Sequence, residues 1–114
     1  MIKQHLKAII GSTKEPDFVV IAPSAGKVYA IELKDGDQFD TKKASGEVTL
    51  IKTFAQALHG YLLKKGLEYV VEIRFCFFNQ DSRDAIVSGM KGEINRNQAM
   101  TGVEFCRLIG VRHG

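Results

Sequence analysis

Two acids and a base stand at spacings that would let them serve one reaction. Asp17 heads the run DFVVI, and Glu32 and Lys34 sit two apart near the end of KVYAIELK. Between the runs lies Pro23-Ser24-Ala25-Gly26, whose turn chemistry predicts an antiparallel hairpin. If those four residues form the loop, Ala22 faces Lys27, and the same register sets Asp17 opposite Glu32. Residues so opposed point to one face, with Cβ atoms roughly 4.5–5.5 Å apart. Lys34 shares that face by the two-residue period of a strand. Phe18, Val20, Tyr29, Ile31 and Leu33 fall on the other face, which reads as core.

Like charges opposed across a hairpin are unfavourable. A hard cation resolves the conflict, since Mg²⁺ is commonly held by one or two carboxylates with waters and phosphate oxygens. An ammonium beside it suits the orientation of an attacking water and the offsetting of charge in a transition state. Together the three groups fit hydrolysis of a phosphodiester. The plainer reading is a salt-bridged cluster on a solvated sheet face, and the spacing alone leaves both open.

The elements that must position these residues follow from periodicity. Ile2, Leu6, Ile9 and Ile10 predict a short opening helix closed by Gly11. After the hairpin, residues 35–40 (DGDQFD) are loop chemistry, with Asp40 or Thr41 a cap for the next helix. That helix carries the stripe Val48, Ile51, Phe54, Ala55, Leu58 and Leu62, and it ends at Lys64-Lys65-Gly66. Residues 68–79 return to period two as a strand, a natural crossover into the same sheet. A short helix over 82–90, an irregular polar stretch over 91–98 and a last helix capped by Thr101 complete the order. The expectation is a single domain over residues 1–114, an α/β sandwich with a mixed sheet. Three strands are legible and a fourth is left open.

Pro16-Asp17, fourteen residues, then Glu32-Leu33-Lys34 resembles the PD-(D/E)xK motif of restriction-endonuclease-like nucleases. The run IELKDGDQFDTKKASGE looks like the catalytic segment of certain type II restriction endonucleases, and TGVEFCRLIGV resembles their closing helix. The resemblance implies a small restriction-endonuclease-like α/β fold and a metal-dependent DNA endonuclease, either a type II restriction enzyme or a reduced relative or fragment of one. It implies Asp17 and Glu32 as ligands of Mg²⁺ (Mn²⁺ as substitute), the Leu33 carbonyl as a further ligand, and Lys34 as the group acting on the water. Such an enzyme would be expected to act on DNA as a homodimer, because a duplex has two strands to cut. A structure-selective or repair nuclease akin to a Holliday junction resolvase, and an inactive nucleic-acid-binding remnant, are the alternatives. The family's first helix often supplies another acid; the opening segment here has none, and Glu15 is merely adjacent to the motif.

Around this core, Glu47 is a candidate to support the metal site, or else an acid favoured at a helix N-terminus. Lys42 and Lys43 are candidates for phosphate contact or are solvated charges. Asn95, Arg96, Asn97 and Gln98 have side chains suited to base edges, although they are also ordinary loop residues. The net charge of +3 is compatible with nucleic acid without arguing for it. Cys76 and Cys106, with no CxxC spacing, read as reduced thiols, and no His spacing suggests zinc. The first ten residues are too polar for a secretion signal, and no run spans a bilayer, so the expectation is a cytoplasmic protein without membrane contact.

Overall fold

The computed structural model describes residues 15–34 and 41–110. The expected opening helix and the 35–40 loop, with the Asp40 cap, lie outside them. β1 (Phe18–Ala22) and β2 (Lys27–Lys34) are joined by a 3₁₀ turn at Pro23–Ala25. Gly26 closes that turn at φ 65, a left-handed conformation that glycine adopts without a steric penalty. Ala22 pairs with Lys27 and Phe18 with Ile31, the register expected from a four-residue loop.

Helix α1 (Thr41–Lys64) buries Ala44, Val48, Ile51, Phe54, Ala55 and Leu58, which adds one turn to the start of the predicted stripe, while Leu62 at its end is half-buried. It ends in a Schellman arrangement: the Leu67 N–H donates to Leu62 O, the Gly66 N–H donates to Leu63 O, and Gly66 has φ 79. β3 (Val70–Phe77) returns parallel to β2. Helix α2 (Arg83–Gly89) is capped by the Ser82 hydroxyl, which accepts from the Ala85 N–H at 3.1 Å. The fourth strand, β4 (Ala99–Thr101), is three residues long and runs parallel to Phe75–Phe77. Helix α3 (Gly102–Ile109) begins in a capping box between Thr101 and Glu104. The sheet order is β1-β2-β3-β4, mixed, with helices flanking it. The expected small α/β sandwich is the fold observed.

Both sheet faces are packed. Val28, Ala30, Ile73, Phe75 and Phe77 lie beneath α1 and α2 in the larger core, while Ile31, Cys76, Met100 and Phe105 form a second core under α3. The face bearing Glu32 is therefore covered by the main core, not solvated. A strand flanked on both sides, with helices above and below, must place even its charged end residues against protein.

Candidate active site

The candidate groups gather where β2 ends and β1 begins. Asp17 lies at a bend just before β1, exposed to solvent, and the bend replaces ladder bonds with side-chain bonds. The Asp17 N–H donates to Glu32 Oε1 at 3.1 Å, and the Leu33 N–H donates to Asp17 Oδ2 at 2.8 Å. Each carboxylate thus grips backbone beside the other. The N–H and C=O of one strand residue face the same neighbouring strand, so the Leu33 carbonyl projects toward the Asp17 side as well.

Lys34 Nζ lies 3.0 Å from Glu47 Oε1 and 3.6 Å from Glu32 Oε2, linking the end of β2 to α1. These charges are largely enclosed, with side-chain exposures of 16% for Lys34, 10% for Glu32 and 16% for Glu47. Glu47, a sequence candidate for supporting the metal site, is thus placed against Lys34. Lys42 and Lys43 are exposed in the first turn of α1, a turn that holds no acid. Two cations at a helix N-terminus oppose the helix dipole.

One contributor escaped the sequence reading. Glu15 lines a cavity of about 10 Å³, barely room for one water, together with Glu32 and Glu47. Its Oε2 is buried and has no hydrogen-bond partner among the described residues. No feature of its spacing marks it. Glu32 and Glu47 both reach the ammonium of Lys34, and Asp17 and Glu15 lie beside them. No trio of His, Cys, Asp or Glu among the described residues is arranged to hold a metal by side chains alone. The donor set that remains, two carboxylates and a carbonyl, consists of hard oxygens and suits Mg²⁺ completed by water or phosphate.

Asn95, Arg96, Asn97 and Gln98 are elsewhere. Asn95, Asn97 and Gln98 line a concavity of about 620 Å³ with Val71–Arg74 of β3, across the sheet from β1. Asn95 and Gln98 spend their side chains on a capping box, and Arg96 pairs with Asp84 at 3.0 Å. The structure does not bring this run to the carboxylates.

A four-stranded mixed sheet flanked by helices, with acids and a lysine at the hairpin's open end, is compatible with a restriction-endonuclease-like fold. Over 112 residues, 97% of this chain, the sequence is 35% identical to the type II restriction enzyme HhaII of Haemophilus parahaemolyticus, and it spans 46% of that enzyme's length. This likeness relates the chain to a restriction enzyme. No family model and no solved structure matches it. No helix among the described residues is long and apolar enough to cross a membrane.

Proposed function

We propose that this chain carries the catalytic core of a metal-dependent endonuclease that hydrolyses phosphodiester bonds in DNA. The observation that carries the reading is the meeting of Asp17, Glu32 and Lys34, with Glu47, at one end of the hairpin. The PD-(D/E)xK spacing and the similarity to a restriction enzyme support it.

Asp17, Glu32 and the Leu33 carbonyl would hold Mg²⁺, which when bound supplies Lewis acidity toward a phosphate oxygen. Asp17 faces solvent, so a phosphate can approach from its side. Glu47 and Glu32 fix the Lys34 ammonium, and that ammonium orients the attacking water and offsets charge as the phosphorus–oxygen bond forms. Lys42 and Lys43 draw in the DNA backbone from the start of α1. The active species is a homodimer, one site for each strand.

The test is incubation with plasmid, linear and branched DNA in Mg²⁺, Mn²⁺ or EDTA. Cleavage with either metal and none in EDTA is expected; preference for branched DNA would instead mark a structure-selective nuclease. Absence of cleavage on every substrate would overturn the reading.

A further inference from the structure

β3 is covered along only part of one side. The Val70 N–H donates to Gly26 O at 3.0 Å, so Val70, Glu72 and Arg74 turn their backbone groups toward β2. Val71, Ile73, Phe75 and Phe77 turn theirs the other way. On that side β4 meets only Phe75–Phe77. Among the described residues no strand pairs with the outward groups of Val71 and Ile73. Arg74 shields one of them, its Nη1 donating to Ile73 O at 2.8 Å. The N–H and C=O of Val71 and the N–H of Ile73 stay at an open edge, a feature that proteins ordinarily block or fill.

This edge lies in a recess. It opens into the concavity of about 620 Å³, between Gln56 of α1 and Asn97 of the turn Arg96–Gln98. A second concavity of about 310 Å³ shares Ala55, Gln56 and Val71 with the first and reaches His59 and Val70, so the recess follows the strand. Its Val70 end is apolar. Toward the other end, Lys27 and Arg74 are tied to Glu72, and Arg83 to Glu104. Lys52 makes no ion pair among the described residues, so the uncompensated charge of the recess is its ammonium. An edge that offers donors and an acceptor in alternation is satisfied by another extended peptide backbone, which carries both. Nucleic-acid phosphates only accept. A second copy's β3 is sunk between its own α1 and its own 96–98 turn, and those walls would meet before the two edges did.

We propose that the open edge of β3 is a strand-addition site for an extended segment of a partner protein, with an apolar side chain toward Val70 and an acid facing Lys52. The site is independent of the nuclease reading. The probe is a fluorescein-labelled heptapeptide of alternating valine and threonine in which glutamate replaces the third valine. It is titrated by anisotropy, and exchange of the Val71 and Ile73 amide protons is followed by nuclear magnetic resonance. Saturable binding with slowed exchange at both amides is expected. Val71→Pro removes one outward donor where an edge strand accepts proline, and should weaken binding about 3- to 10-fold, the effect of one hydrogen bond. Lys52 is exposed on α1, so Lys52→Glu leaves the core intact. That variant should reverse the preference, binding a lysine-bearing version of the peptide more tightly than the glutamate-bearing one. Circular dichroism checks the fold of both variants. A backbone N-methylated peptide that binds as tightly as its parent would overturn the site. So would unchanged exchange at Val71 and Ile73 in peptide-saturated protein, or no binding of either peptide at millimolar concentration. Self-association of the wild type that Val71→Pro abolishes would overturn it in favour of a second copy.

Discussion

Lys34→Met should destabilise the metal-free protein, and the size of the loss follows from the enclosure of its partners. At an effective dielectric of about 20, unit charges at 3.0 Å attract by roughly 5–6 kcal/mol before desolvation. Burial offsets much of that. Removing one partner of a fully buried pair costs about 3–5 kcal/mol, whereas an exposed pair contributes about 1 kcal/mol or less. With Lys34, Glu32 and Glu47 side chains 16%, 10% and 16% exposed, the expected loss is about 2–3 kcal/mol. For a domain of this size that lowers the melting temperature by about 8–12 °C. The assay is thermal unfolding by circular dichroism in EDTA. Adding Glu47→Gln to Lys34→Met should recover part of the loss, because it removes a carboxylate left without its ammonium. Mg²⁺ should narrow the gap for the same reason. A Lys34→Met protein that melts within about 2 °C of wild type in EDTA would refute the claim that this lysine holds the acids together.

Asp17→Asn should melt at the wild-type temperature or above it without metal, since the amide oxygen can still accept from the Leu33 N–H while carboxylate repulsion is relieved; a clear drop in thermal unfolding would favour a purely structural ion-pair role. Glu104 has its pKa lowered, chiefly by its bond to Arg83, with burial opposing and the Thr101 backbone N–H assisting. Its folded-state pKa lies below the unfolded value, so its stabilisation is present above the ordinary value of 4.5 and is lost as pH falls through the folded pKa. Glu104→Gln, which can retain the capping box, should therefore cost about 1 kcal/mol near neutrality and soften the acid transition below pH 4.5, read by melting temperature against pH. Burial pushes the Cys76 thiol up to about 12, with Cys106 and Glu104 adding to it. It should resist alkylation at pH 8 (roughly the ordinary thiol pKa) until denaturant is added, and mass spectrometry showing prompt native-state labelling of Cys76 would contradict its burial.

The hairpin was legible because two constraints act together. Period two assigns each side chain to a face, and the Pro23–Gly26 loop fixes the register, so the pairing from Phe18–Ile31 to Ala22–Lys27 needed no tertiary information. The stripe on α1 was legible for the same kind of reason. β4 was not, since three residues cannot display a period and its partner lies more than twenty positions away. Burial of the Glu32 face was missed because KVYAIELK carries apolar residues on both faces, and only the packing of helices on both sides shows which core is larger. The structural work of Asn95 and Gln98 was readable in principle, because a short polar cap followed three residues later by Gln is the spacing of a capping box.

The most direct test of the central claim is the single-turnover cleavage rate of Glu32→Ala beside wild type, with enzyme in excess over DNA in Mg²⁺. Glu32 is the carboxylate that touches both Asp17 and Lys34. Its removal should lower the rate by at least the order of 100- to 1,000-fold expected for losing one group that acts in the transition state. A Glu32→Ala protein that cuts DNA at the wild-type rate would contradict the account.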